Sequence, residues 1–269
     1  MAHVLSGLKL AVIGCGAMGQ ALVRGLLGSG FNATDITCTR RDPARLASLA
    51  GLGVRVTPDN GAASADADVV LLCIKPQGWR EAVLTLRPRP GQIVLSVMAG
   101  VRTQALEEAL PGTRVARCMP NTPALVGAGM HAYSLGASAD PTVVPIVEGI
   151  LGASGTVAAV VEGIMDAVTV TSGSGPAYLF YLAELMIEGS VALGVDPNLA
   201  RRLVRETLKG AAELLAQPGA DPVALRQAVT SPGGVTAKVM SGLEASGVRE
   251  TFVRAMDAGK RRAAELAQT

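Results

Sequence analysis

Aromatic side chains are scarce in this chain: three Phe, three Tyr and one Trp make up 3% of 269 residues. Its core must therefore be built from Ala, Val, Leu, Ile and Met, within an apolar share of 49%. Charge is sparse and balanced, with 24 Lys and Arg against 22 Asp and Glu and a formal net charge of +2. Nucleic-acid binding needs a concentrated basic field, and this composition excludes it. No stretch reaches the roughly 18 uncharged apolar residues of a membrane helix, and no basic-then-apolar leader opens the chain. The expectation is a soluble, cytoplasmic protein without a membrane partner. Histidine is limited to His3 and His131, with no HxH or HExxH spacing, so no metal site is expected. Cys15, Cys38, Cys73 and Cys118 each lie in or just after an apolar run and none pairs as CxxC. They read as small buried hydrophobes rather than disulfides or zinc ligands.

What is present is an ordered alternation. Strand-like runs recur at Leu10 to Ile13, Ile36 to Thr39, Val54 to Val56, Val69 to Ile74, Ile93 to Val97, Val115 to Met119 and His131 to Ser134. Helix-compatible segments, Ala21 to Leu27, Pro43 to Ala50, Trp79 to Leu86 and Thr103 to Leu110, fill several of the gaps, the pattern of a doubly wound, mostly parallel α/β sheet. Pro43 at a helix start and Gly28, Gly51 and Gly112 near helix ends supply the punctuation. After the run Thr156 to Val161 the strand signals stop. Only helices are expected beyond it, at Ile164 to Val170, Ala177 to Leu193, Pro197 to Leu215, Pro222 to Val229, Ala237 to Leu243 and Arg249 to Ala267. Two domains follow, residues 1–161 and 162–269. The Ala177 to Leu193 helix is apolar on nearly every side, broken mainly by Glu184 and Glu188, so it must be covered all round. A partner subunit is the natural cover, burial between the two domains the alternative.

Two glycine-rich signals stand out against this frame. Gly14-Cys15-Gly16-Ala17-Met18-Gly19 sits between the first strand and the first helix. There glycines allow a tight turn and let the backbone approach a pyrophosphate, whose charge faces the free N–H groups and positive dipole end of the helix. The end of the second strand, about twenty residues further on, carries Thr39-Arg40-Arg41 where an NAD site would place an acid; arginines answer a 2′-phosphate and favour NADP, with NADPH preferred over NADH. The second signal is Ser231-Pro232-Gly233-Gly234-Val235-Thr236. Its glycines free the backbone to curl, Pro232 stiffens it and Thr236 reads as the N-cap of the next helix, so several N–H groups can converge on one carboxylate.

These two signals join Ile74-Lys75-Pro76-Gln77, Ala99-Gly100-Val101, the run Met119 to Gly129 (MPNTPALVGAG) and Ser172-Gly173-Ser174-Gly175-Pro176-Ala177-Tyr178 in one order along nearly the whole chain. In that order they resemble the motifs of the pyrroline-5-carboxylate reductase family. The resemblance implies an N-terminal Rossmann domain, a C-terminal all-helical dimerisation domain and reduction of a cyclic imine, 1-pyrroline-5-carboxylate, to L-proline by NAD(P)H in the last step of proline biosynthesis. It implies that Gly14, Gly16, Ala17, Met18 and Gly19 hold the pyrophosphate, that Lys75 and Pro76 line the cofactor groove, and that Asn60 lies beside the adenosine half. Ala99, Gly100 and Asn121 would lie beside the nicotinamide half. The substrate carboxylate would rest on Ser231, Gly233, Gly234, Val235 and Thr236. It further implies a homodimer, in a family that includes larger rings of dimers. Many members carry Thr-Thr after the paired glycines, where this chain has Val235-Thr236.

Thr236 has a hydroxyl that can bond the ring nitrogen of an imine, which makes it the one candidate catalytic residue. No side chain has the look of a tuned general acid. Two other readings share the first domain: a related NADP-dependent reductase of another imine or of a hydroxy acid, and a nucleotide-binding regulator. Against the hydroxy-acid chemistry, no lysine occurs in Ile164 to Val170 or Ala177 to Leu193, the helices that would carry its base.

Overall fold

The computed structural model describes residues 4–266. His3 and the end of the last expected helix, Ala267, lie outside the described residues. Eight strands form one sheet: β1 (Leu10–Ile13), β2 (Ile36–Thr39), β3 (Arg55–Thr57), β4 (Val69–Leu72), β5 (Ile93–Ser96), β6 (Arg114–Met119), β7 (Gly129–Leu135) and β8 (Gly155–Ala159). Their spatial order is β3-β2-β1-β4-β5-β6-β7-β8, parallel at every pairing except β6 with β7. The strand order reverses direction beside β1, where β2 lies on one side and β4 on the other. In a doubly wound sheet that switch point opens a crevice at the carboxyl ends of the strands.

The helices in chain order are α1 (Ala17–Gly28), α2 (Ala47–Ala50), α3 (Asn60–Asp66), α4 (Trp79–Leu84), α5 (Thr103–Ala109), α6 (Val144–Gly152), α7 (Met165–Val168), α8 (Gly175–Ala192), α9 (Pro197–Leu215), α10 (Pro222–Ala228), α11 (Val235–Ala245) and α12 (Val248–Leu266). Along β1, Leu10 and Val12 enter one core with Leu22, Leu26 and Ile150 from α1 and α6. Ala11 and Ile13 enter the other with Trp79, Val83 and Leu106 from α4 and α5. Successive strand residues point to opposite faces, so a strand covered on both sides must be apolar throughout, as β1, β4 and β5 largely are.

Several local expectations are corrected. Helix α3 was not anticipated from its Ala, Gly and Ser content, but the Asp59 carboxylate accepts the Ala62 N–H and caps it. Gly28 ends α1 and Gly51 is the C-cap of α2, as expected, while the left-handed residues follow two positions later at Gly30 (φ +89°) and Gly53 (φ +90°). The single helix expected over Ile164 to Val170 is a 3₁₀ turn (Glu162–Ile164), then α7, then a π-helical turn (Thr169–Gly173).

The described residues divide into two compact units, 4–174 with 259–266, and Gly175–Ala258. This division falls later than the expected boundary at Glu162. The intervening segment is tied to the sheet: Arg117 of β6 pairs with Glu162 at 2.8 Å, and Asn121 donates to the Ser172 carbonyl at 3.3 Å. In the second unit, α8 packs with α9 and Tyr178 meets Phe252 edge-to-face, with ring centroids 5.4 Å apart. Only Ala200 and Val204 are buried there among the described residues. Among the described residues α8 is left open: Phe180 is 64% exposed and Tyr181 61%. No helix among the described residues is long and apolar enough to cross a membrane.

Candidate functional site

The turn between β1 and α1 assigns each of its glycines a different task. Gly14 adopts φ +71°, and a Cβ there would lie 2.1 Å from Ile74 Cγ2, so both conformation and space demand glycine. At Gly16 a Cβ would meet nothing closer than the Gly14 carbonyl oxygen at 3.8 Å, which leaves an open face for a ligand. Gly19 brings the helix onto the sheet, since a Cβ would fall 3.2 Å from Val12 Cγ1 and from Cys15 Sγ. Helix α1 begins at Ala17, earlier than the expected Ala21, with Gly16 as an N-cap that has no side-chain partner. The N–H groups of the turn divide accordingly. Gly14 donates to the Thr39 hydroxyl, Cys15 to the Thr39 carbonyl and Gly16 to the Gly14 carbonyl. Those of Ala17, Met18 and Gly19 have no acceptor inside the helix and face outward at its positive end. The N–H groups of Gly14 and Gly16, expected at a pyrophosphate, are thus spent within the turn, and those of the three residues after them have no intrahelical acceptor.

At the end of β2, Thr39 is fully buried. Its hydroxyl accepts from Gly14 and donates to Asn60 Oδ1 at 2.6 Å, so it supports the turn and is not presented to a 2′-phosphate as expected. Arg40 is half-buried and donates to the Cys15 carbonyl at 3.2 Å, while Arg41 is exposed. Asn60 opens α3 and reaches Thr85 through its amide nitrogen. Lys75 stands exposed beyond β4 at the start of the 3₁₀ turn Pro76–Gly78. Ala99 and Gly100 (φ +77°) follow β5. Thus the turn, Thr39 to Arg41, Lys75 with Pro76, Ala99 with Gly100, and Asn121 all sit at the carboxyl ends of adjacent strands.

Beyond β6, the side chain of Asn121 is committed to the fold. It accepts the Met130 N–H at 2.8 Å and donates to Ser172, holding the MPNTPALVGAG loop against the π-helical turn. A Cβ on Gly173 would lie 2.4 Å from Met119 Cε, so glycine permits that approach. Nearby, Arg117 is 2% exposed and two of its guanidinium nitrogens have no partner. Burial opposes the charge on its partner Glu162, yet hydrogen bonds from Ser134 and Arg117 hold that carboxyl below its ordinary range. Neither residue was singled out from sequence; a lone Arg inside an apolar strand was the available signal.

The Ser231 loop lies in the second unit. Gly233 adopts φ +70°, the Gly234 N–H bonds the Ser231 carbonyl at 3.0 Å, and a Cβ on Gly234 would fall 2.4 Å from Ser231 Oγ. Gly234, not Thr236, is the N-cap of α11. Thr236 is therefore the second residue of the helix, exposed together with Val235. By helical geometry the N–H groups of Val235, Thr236 and Ala237 lack intrahelical acceptors and form an anion-receptive end.

Residues 162–266 match the family described as pyrroline-5-carboxylate reductase dimerisation, and residues 9–100 match NADP oxidoreductase, coenzyme F420-dependent. The pyrroline-5-carboxylate reductase of Corynebacterium melassecola is 40% identical over 264 residues, covering 96% of this chain and 98% of that protein. The chain belongs to the pyrroline-5-carboxylate reductase family. The pyrroline-5-carboxylate reductase of Arabidopsis thaliana is 36% identical, covering 97% of this chain and 96% of its own length. Among solved structures, a pyrroline-5-carboxylate reductase from Coxiella burnetii superposes with a TM-score of 0.89 at 34% identity, over 97% of this chain and 99% of that one. The Plasmodium falciparum pyrroline carboxylate reductase, solved with NADP bound, gives a TM-score of 0.87 at 25% identity over 97% and 98%. Within this reductase family the fold expected from the sequence, a mostly parallel N-terminal sheet with a helical C-terminal region, is the one observed.

Proposed function

We propose that this chain reduces 1-pyrroline-5-carboxylate to L-proline with NADPH, the last step of proline biosynthesis, in the cytoplasm. The observation that carries the reading is a pair of anion-receptive helix ends in one chain of this family: the open turn at Gly16 and the curled loop before α11. Residues 1–161 serve the dinucleotide, and 162–269 serve dimerisation and the substrate. Ala17, Met18 and Gly19 bind the pyrophosphate through their N–H groups. Arg40 and Arg41 meet a 2′-phosphate, so NADPH is preferred over NADH. Asn60 faces the adenosine half, Lys75 and Pro76 the groove wall, and the backbone of Ala99, Gly100 and Asn121 the nicotinamide half.

Ser231, Gly233, Gly234, Val235 and Thr236 cradle the substrate carboxylate. Backbone N–H groups do most of that binding, which is why Val235 in place of a threonine is tolerated. The Thr236 hydroxyl accepts from the protonated ring nitrogen and fixes the imine carbon in place. Bound NADPH supplies a hydride. A protonated imine that gains a hydride at carbon is already the neutral secondary amine, so the chain needs no general acid, only orientation and exclusion of competing geometries. The working unit is a homodimer formed through α8, with the turn of one chain and the Ser231 loop of the other making one site. Any larger ring is built from that dimer.

The test is direct. Purified chain is mixed with NADPH and pyrroline-5-carboxylate, and loss of NADPH absorbance is followed together with proline formed. Stoichiometric conversion is the expected result. Tight NADPH binding with no oxidation above the imine-free rate contradicts the reading and favours a regulator.

A further inference from the structure

The hydrogen bonds around the glycine turn extend beyond any residue expected to touch a ligand, and their direction is fixed. Gly14 N–H can only donate, so the Thr39 oxygen accepts there, at 3.1 Å, and its proton goes to Asn60 Oδ1 at 2.6 Å. The amide nitrogen of Asn60 then faces the Thr85 oxygen at 3.0 Å, and Thr85 passes its own proton to the Ala82 carbonyl at 2.6 Å. Each hydroxyl has one proton and each is spent, which leaves one arrangement of donors from α4 to β1. Thr39 is fully buried and also takes the Cys15 N–H on its carbonyl, so one residue fixes two consecutive N–H groups of the turn. Thr85 is exposed, follows the last residue of α4, and lies in none of the glycine-rich motifs.

We propose that Thr39 is a positioning residue for the dinucleotide turn and that Thr85, through Asn60, sets its strength. This rests on the reading that the turn binds NADPH. With Thr39 holding Gly14, the donors of Ala17, Met18 and Gly19 keep one direction; without it the turn samples others, and affinity falls for NADPH and NADH alike, because the pyrophosphate is common to both. Thr85 orients the Asn60 amide so that Oδ1 faces Thr39. Loss of the Thr85 hydroxyl frees that amide to rotate and weakens the bond it makes.

The experiment measures dinucleotide binding by the emission of bound NADPH, alongside steady-state kinetics, in the full-length protein. Thr39→Val keeps the side-chain volume and should raise the Kd for NADPH and for NADH by about five- to tenfold, the loss expected for one or two hydrogen bonds. The KM for NADPH should rise far more than kcat falls, and Thr39→Ser should restore binding to within about twofold of the parent protein. Thr85→Val should weaken NADPH about threefold alone and add nothing in the Thr39→Val background, since partners in one network are non-additive. Additive effects, a Thr85→Val protein that binds like the parent, or a Thr39→Ser protein that binds as poorly as Thr39→Val would overturn the proposal. If Thr39→Val does not fold, Thr85→Val, altered only at the surface, decides by itself. A parent protein that binds no dinucleotide refutes the functional reading instead.

Discussion

The two compact units handle their apolar side chains in opposite ways. The sheet unit lays apolar strands between α1 and α6 on one face and α3 to α5 on the other, and residues such as Leu22, Leu71 and Leu95 are wholly buried inside one chain. In Gly175–Ala258 only Ala200 and Val204 are buried, while Leu179, Phe180, Tyr181, Leu182 and Leu185 stay open along α8. An apolar helix without a polar face is incomplete as a monomer, because exposing such surface costs about 25 cal/mol for each Å². The difference separates a unit that completes its own core from one that leaves an apolar helix open, the surface through which the proposed dimer would form.

The largest effect should come from attacking the unfinished unit. Tyr181 and Leu185 are four residues apart on one face of α8. Tyr181→Asp with Leu185→Asp places carboxylates where a partner must seal, and unpaired buried charges cost several kcal/mol each. Sedimentation equilibrium should show monomers and turnover should fall by about a hundredfold or more, with NADPH still bound by the intact turn. A dimer that survives both substitutions would place the interface elsewhere.

A smaller loss is expected inside the self-sufficient unit. Arg117→Met removes the cation opposite Glu162, whose carboxylate is then left half-buried with fewer partners. Breaking such a pair from one side should lower stability by about 3 kcal/mol, read from urea unfolding. Because two nitrogens of Arg117 lack partners, the double variant Arg117→Met with Glu162→Gln should recover part of that loss.

How the sequence revealed these regions follows the same contrast. Strands β1, β4 and β5 were legible because burial on both faces leaves unbroken apolar runs, and α9, Pro197–Leu215, because Asp196 caps it and Pro197 opens it. The turn was legible as a motif, yet the split of its duties was not: that Gly14 faces Ile74 and Gly16 faces open space depends on strands far apart in sequence. Thr39 looked like a ligand residue since its neighbours are arginines, but it is buried and its hydroxyl bonds Asn60 of α3, a helix that composition concealed. Thr236 looked like a cap because it precedes an apolar stretch; the glycine before Val235 takes that place instead. That α8 has no polar face was readable from composition alone.

Within the dinucleotide site, the two arginines should separate. Arg41 is exposed and has no described partner, so Arg41→Ala should raise the KM for NADPH about tenfold through loss of one charge-assisted bond, with little change for NADH. Arg40 also holds the Cys15 carbonyl, so Arg40→Ala should impair both cofactors. Equal selectivity in the two variants would remove this distinction.

The smallest expected effect is a pH dependence of the sheet unit. His131 is fully buried, with Nε2 bonded to Ser154 Oγ at 2.9 Å and Nδ1 unpartnered, and burial lowers its pKa below the ordinary 6.5. The neutral ring is favoured by folding, so its contribution is complete above the ordinary value and is lost as pH falls below it. Unfolding midpoints should decline from pH 6.5 downward, and His131→Gln should flatten that decline. A variant with the parent slope would assign the dependence to other groups.

The central claim, that one chain supplies the turn and its partner supplies the loop, is tested most directly by mixing two crippled chains. Gly16→Asp puts a carboxylate into the open face of the turn, and Gly234→Asp forces a side chain against Ser231 Oγ. Each homodimer should be nearly inactive. Purified heterodimers, each carrying one tagged copy of either variant, should regain one working site of the two, from the intact turn of the Gly234→Asp chain and the intact loop of the Gly16→Asp chain. Heterodimers as inactive as their parents, with both chains folded and paired, would contradict the claim and place turn and loop of each site in a single chain.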